Sequence, residues 1–177
     1  MFRFLLLAGA LAFLGVAVVT AGGSPRGGSD KPLKAGAKAD LIVVEKVAHR
    51  MTLYAHGRVL KTYTISLGSG GLEPKARVGD KLTPEGSYKI DRRSTESCCY
   101  RALHISYPSA GDRAVAKARG VQPGGDIAIH GLRNYTGFLG GLHRLMDWTN
   151  GTVAVTDDEM DELWRAVPNG TPIRIQH

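Results

Sequence analysis

Asp126-Ile-Ala-Ile-His-Gly131, and downstream Leu142-His-Arg-Leu-Met-Asp-Trp-Thr-Asn-Gly-Thr-Val-Ala-Val-Thr156, are the stretches whose reading decides the fold. In the first, the apolar run Ile127-Ala-Ile129 ends on a histidine and then a glycine. A short β-branched run bounded this way reads as a buried strand. A glycine after it lets another backbone come close. In the second, Thr149-Asn-Gly-Thr152 is a turn that feeds Val153-Ala-Val155. Thr156 then caps a helix expected over residues 157–166. Glu159 stands three positions on, as in a capping box, and Met160, Leu163, Trp164 and Val167 share one face. Pro168 and Gly170 end that helix.

Working outward, short strands dominate. Leu41-Ile-Val-Val44 is apolar and β-branched. Met51-Thr-Leu-Tyr54 follows, a turn falls at His56-Gly57, and Val59 to Leu67 reads as the return strand of a hairpin. Gly68 to Lys81 holds four glycines and a proline and is expected as a loop. Thr83-Pro-Glu-Gly86 turns the chain into Ser87-Tyr-Lys-Ile90. Leu103-His-Ile-Ser-Tyr107 alternates and stops at Pro108, and Thr171 to Ile175 is a closing strand. Many strands with one main helix near the C-terminus predict a mostly-β domain, a sandwich or a barrel-like packing of mixed sheets.

The first residues have a different character. Arg3 gives a short positive start, Phe4 to Val19 are apolar or glycine, and Val19-Thr-Ala21 offers a small-residue cleavage site. Residues 1–21 are therefore expected to be a secretory signal peptide. The alternative is an uncleaved N-terminal membrane anchor, although the run is short against the roughly 20 residues of a span. Residues 22–39 are rich in Gly, Ser, Lys, Ala and Pro and are expected as a flexible linker. The domain is expected over residues 40–177, long enough for one sizeable core.

Charge and cysteines narrow the function classes. The formal net charge is +7. A basic exported protein suits an anionic envelope polymer or lipid surface, and the same charge can serve solubility alone. Aromatic–basic interleaving is lacking, so no nucleic-acid partner is expected. Cys98 and Cys99 are adjacent, which excludes a multi-bridge framework and a four-cysteine metal site. They are read as thiols or an incidental pair. Adjacent Cα atoms lie about 3.8 Å apart, below the usual disulfide span. His49, His56, His104 and His177 are scattered, so neither a metal nor a cofactor is expected.

Two features bear chemistry on their own terms. His130 at the end of an apolar strand could be a general base, and a lone histidine beside apolar residues is more often structural. Backbone N–H groups around Gly151 and Thr152 could form an oxyanion hole, and an ordinary polar turn fits the same residues.

Their order along the chain resembles the L,D-transpeptidases, cell-wall enzymes with a cysteine nucleophile. The resemblance runs from Asp40 to Ile175. Tyr63-Thr-Ile-Ser-Leu-Gly68, Thr83-Pro-Glu-Gly-Ser-Tyr-Lys-Ile90, Ala102-Leu-His-Ile-Ser-Tyr-Pro108, Ile129-His-Gly131, Asp147-Trp-Thr-Asn-Gly151 and Val167-Pro-Asn-Gly-Thr-Pro172 carry it. It implies an L,D-transpeptidase-like fold and attack on the carbonyl between meso-diaminopimelate and D-alanine in a peptidoglycan stem peptide. An amine of a neighbouring stem, or of an envelope lipoprotein lysine, would then take the acyl group. By position, His130 would be the base, Gly151 would flank the oxyanion hole, and Gly131, His143, Arg144 and Thr149 would line the substrate cleft. The resemblance also implies a periplasmic site or one on the outer face of the cytoplasmic membrane.

Thr152 stands at the position of the family's cysteine. A thiol ionises near pH 8.5, whereas an alcohol must lose its proton to a base during attack. The β-branch also stiffens χ1. Ala154 stands where many relatives have arginine. Two readings stay open: an exported transpeptidase or carboxypeptidase with an unusual nucleophile, and a catalytically inactive module that binds peptidoglycan or regulates. A relocated nucleophile at Cys98 or Cys99 would also have to meet the oxyanion donors in the right geometry.

Overall fold

The computed structural model describes residues 31–96, 98–134 and 145–177. Residues 1–30, where the signal segment is expected, lie outside this description, as do His143 and Arg144. Eight strands and two helices are described: β1 (Leu41–Glu45), β2 (Arg50–Ala55), β3 (Arg58–Thr64), β4 (Gly86–Ser94), β5 (Ala102–Ile105), α1 (Ala110–Ala118), β6 (Ala128–His130), β7 (Val153–Ala154), α2 (Asp157–Ala166) and β8 (Pro172–Gln176).

Period-two burial explains the strands: Ile42 and Val44 of β1, and Ile173 and Ile175 of β8, face inward while their neighbours face out. β8 lies between β1, which it meets in parallel, and β4, which it meets antiparallel. The order is β3-β2-β1-β8-β4-β5-β6-β7. β4 serves both halves of this sheet. Its Gly86–Lys89 part pairs with β8, and its Ile90–Ser94 part pairs with β5, with a register shift between Ile90 and Arg92. Such an irregularity bends a strand and sharpens its twist.

The curled sheet then meets itself. Beyond β3 the chain bridges to the β7 segment at Ser66↔Ala154 and Gly68↔Thr149. Ser66 and Ala154 exchange both backbone hydrogen bonds, at 3.0 and 2.9 Å. This seam joins the two outer edges of the sheet, the barrel-like outcome of the sequence reading. Ile42, Leu53, Tyr63, Ile90, Leu103, Ile129, Val153, Leu163 and Ile173 belong to the one apolar core inside. Each such large side chain contributes roughly 1.5–3 kcal/mol by burial.

α2 has the expected bounds, and Thr156 and Glu159 form both halves of its capping box. The second helix, α1, was not expected. Ser109 caps it, with Asp112 completing a capping box, and Ala116 is its buried residue. With so little apolar face, no 3.6-residue pattern announces it. The domain's contacts also begin inside the expected linker: Leu33 packs on the core, its N–H donates to Glu162 Oε1 (3.0 Å), and Ala39 is buried.

Two polar anchors hold the loop between β3 and β4. Lys46, fully buried, donates from Nζ to Glu73 O (3.0 Å), Thr83 O (3.0 Å) and Glu85 Oε1 (2.9 Å). Asp80 accepts from Lys75 Nζ (2.7 Å) and from the N–H groups of Ala76, Arg77 and Leu82.

Candidate active site at the sheet seam

β6 ends on His130, which is 6% exposed. Its Nδ1 lies 2.6 Å from the carbonyl oxygen of Gly131. A carbonyl only accepts, so Nδ1 holds a proton, and in the neutral ring this leaves the lone pair on Nε2. Nε2 lies 2.7 Å from Thr152 Oγ1. In that tautomer the hydroxyl donates to the imidazole, the arrangement in which a base can take its proton.

Gly131 makes this possible through its backbone. Its N–H donates to Tyr100 O (2.8 Å). A Cβ there would sit 2.5 Å from Asp157 Oδ1 and 2.9 Å from Tyr100 O. The close approach expected from the sequence is thus made by Tyr100 and by the start of α2.

Thr152 is placed by the seam. Thr149 N–H donates to Leu67 O (3.1 Å), and Ser69 N–H donates to Thr149 O (3.0 Å). The Thr149 hydroxyl donates to Thr152 O (2.7 Å) and accepts from Gly151 N–H (3.2 Å). Gly151 has φ +111°, and a Cβ on it would lie 2.5 Å from Leu82 O. A Cβ on Gly68 would lie 2.0 Å from Lys81 O and 2.9 Å from the Gly151 Cα. Side chains at either position would push the turn off the β3–β4 loop. Asp147 adds a staple: Oδ1 accepts from Leu67 N–H (2.7 Å), and Oδ2 pairs with His49 Nε2 (2.9 Å).

His130 and Thr152 open on a cleft of about 590 Å³, lined also by Trp148, Thr149, Asn150, Arg133, Arg92, His104, Cys98 and Cys99. The Trp148 ring meets the imidazole edge-on, 5.9 Å between centroids at 67°. The Arg133 guanidinium lies 5.9 Å from the Trp148 ring centre. Trp148 Nε1 is buried without a hydrogen-bond partner among the described residues. A buried donor with no partner is uncommon enough to mark this place in the structure. Among the described residues no group of three or more His, Cys, Asp or Glu could hold a metal ion.

Of the residues singled out in the sequence, the structure brings together His130, Gly131, Thr149, Gly151 and Thr152. The Gly151 N–H is already engaged by Thr149. Sequence reading did not single out Trp148 or Arg133 as cleft residues; the two cysteines, weighed there as a relocated nucleophile ahead of the Ala102–Tyr107 strand, do line the cleft. The faint signal for Trp148 was an aromatic residue directly before the turn. A hydroxyl held against a neutral imidazole in a cleft can attack an acyl carbonyl with base assistance.

The family model described as YkuD, L,D-transpeptidase catalytic domain, matches residues 39–175. An Escherichia coli (strain K12) protein carrying the L,D-transpeptidase name YafK is 44% identical over 59 residues, 32% of this chain and 24% of that protein. The helical cell shape determining protein Pgp2 of Campylobacter jejuni superposes with a TM-score of 0.60 at 20% identity, covering 84% of this chain and 52% of Pgp2. The L,D-transpeptidase of Xylanimonas cellulosilytica gives 0.53 at 18% identity, covering 82% of this chain and 64% of its own. At these identities the structural matches speak to the fold. The alignment with YafK spans about a quarter of that protein, and this chain spans about half of Pgp2. Among the described residues no helix is long and apolar enough to cross a membrane.

Proposed function

The chain belongs to the L,D-transpeptidase catalytic domain family, and from that premise we propose that it is exported and engages peptidoglycan stem peptides in the cleft at the seam. Residues 1–21 serve as its signal and the domain works in the periplasm or on the outer face of the cytoplasmic membrane. Thr152 takes the place of the family's cysteine. His130 takes the Thr152 hydroxyl proton as Oγ1 attacks the acyl carbonyl, then passes that proton to the departing D-alanine amine. An acyl ester on Thr152 results, and an acceptor amine, from a neighbouring stem or a lipoprotein lysine, resolves it. The observation that carries this reading is the 2.7 Å contact from Thr152 Oγ1 to an Nε2 held ready by Gly131 O. The turn around Gly151 shapes the oxyanion site, with the Thr152 N–H as its candidate donor.

A second reading has its own support. The Gly151 N–H is engaged by Thr149, and a β-branched alcohol is a poor nucleophile beside a thiol. On that reading the cleft binds stem peptides and the acyl step is lost.

Intact-protein mass after incubation with a carbapenem decides between them, with parent and Thr152→Cys proteins side by side. An adduct on the parent supports acyl transfer by Thr152. An adduct on the variant alone supports a recognition site disarmed at the nucleophile. No adduct on either refutes the cleft as an acyl site.

A further inference from the structure

Acyl transfer through His130 and Thr152 makes no use of the two thiols in the same cleft. Cys98 is exposed and Cys99 is 3% exposed, both are in the thiol form, and their sulfur atoms lie 2.7 Å apart. The segment that carries them is tied down. Asn134 N–H donates to Cys98 O (3.1 Å), Tyr100 N–H donates to Leu132 O (2.9 Å), and Cys99 bridges to Arg133. Residues 98–100 thus pair with the segment that directly follows His130. Tyr100 O holds the N–H of Gly131, whose own carbonyl sets the His130 ring.

We infer that Cys98 and Cys99 are a modification site: a vicinal dithiol that an incoming disulfide closes to a Cys98–Cys99 disulfide, moving the cleft wall beside His130. The Cys98 thiolate attacks the incoming disulfide, forms a mixed disulfide and expels one thiolate. The Cys99 thiolate then attacks the Cys98 sulfur and expels the second. The two protons lost by the cysteines end on the released thiols, and the incoming disulfide is the group reduced. Exposure makes Cys98 the first to meet the oxidant. Burial, and then the neighbouring Cys98 thiol, push the Cys99 thiol above its ordinary value, so Cys99 is the poorer first nucleophile, and the 2.7 Å between the sulfur atoms is what favours it in the second, intramolecular step. Adjacent Cα atoms sit closer than an unstrained disulfide prefers. Strained disulfides are the readily reduced, regulatory kind, so the closure is reversible. Because the pair and His130 are linked through Tyr100 and Gly131, ring closure reaches the catalytic imidazole through one backbone hydrogen bond, Gly131 N–H to Tyr100 O, and the contact of His130 Nδ1 with Gly131 O. That a ligand feels the change rests on the stem-peptide reading of the cleft, whereas ring formation does not.

The test uses the full chain with oxidised glutathione, followed by dithiothreitol. Trp148 fluorescence is read in a Trp164→Phe background, since the chain has two tryptophans. We expect the mass to fall by two hydrogens with no glutathione retained, alkylation of both cysteines to be lost, and Trp148 emission to shift, all reversed by reduction. Cys98→Ser, at the exposed position, abolishes these changes. Glutathione retained on Cys98, a disulfide-linked dimer, or a ring that leaves Trp148 emission unmoved overturns the inference. If the ring and the emission shift are found but neither form binds a disaccharide-tetrapeptide, the dithiol site stands and the stem-peptide reading fails.

Discussion

Glu162 and the His130–Thr152 pair are both polar groups set into an apolar interior, and they differ in how much of their bonding capacity is used. Glu162, 8% exposed, accepts from Leu33 N–H on Oε1, and from Lys61 Nζ (2.7 Å) and Tyr63 Oη (3.0 Å) on Oε2. Burial, and then the Glu162 charge, push the Tyr63 hydroxyl far above its ordinary range, so it stays a donor. Both carboxylate oxygens of Glu162 are thus engaged by protein donors. At the seam Thr152 is half-buried and lines the cleft, its hydroxyl against the imidazole, and Trp148 Nε1 beside it has no partner among the described residues. Saturated buried charge reads as architecture. Capacity left over beside a cavity reads as a site.

Breaking the saturated cluster should do most harm. Glu162→Ala strands the Lys61 ammonium and should cost about 3–5 kcal/mol of stability, read as the urea midpoint. A loss under 1 kcal/mol, on the order of an exposed pair, would show that the cluster is not the anchor described. Breaking the open pair should do the reverse. In the Thr152→Cys background, His130→Ala should slow carbapenem adduct formation by about a hundredfold while lowering stability by only about 1–2 kcal/mol. Equal adduct rates with and without the imidazole would remove His130 from the role of base.

The smallest effect links the two kinds of cluster. Burial alone would raise the Asp80 carboxyl, but hydrogen bonds from Lys75 and from the N–H groups of Arg77, Ala76 and Leu82 outweigh it and hold it at about 2. Its folded value lies below the unfolded one, so its contribution is full above about pH 4 and is lost as the pH falls toward 2, about 2 kcal/mol in all. Asp80→Asn should flatten that acid limb of stability measured against pH. Because the neighbouring Leu82 carbonyl packs on Gly151, acid should loosen the Thr149–Thr152 turn before the core opens.

The legible parts of this chain were the ones whose signals are local. β1 and β8 carry β-branched residues buried at period two, and α2 carries both a capping box and an apolar face. His130 stood out by ending an apolar run before a glycine. The boundary at Asp40 was less legible, because the docking of Leu33 depends on Glu162, more than a hundred positions away. Burial of Lys46 depends on carbonyls of Glu73 and Thr83 that the sequence does not place nearby. α1 was hidden for the opposite reason: its capping box is local, but it buries almost nothing. The cysteines entered the cleft through the pairing of residues 98–100 with 131–134, a register that no local pattern specifies.

The bridges Ser66↔Ala154 and Gly68↔Thr149 have a further consequence for the order in which the molecule comes into being. They join stretches far apart along the polypeptide, and contacts of that kind form only after the loop entropy between them has been overcome. A nascent or partly collapsed chain can therefore hold its hairpins and its C-terminal helix before Thr152 is brought against His130. Assembly of the candidate site has to wait for the last edge to close, so maturation itself acts as the safety catch.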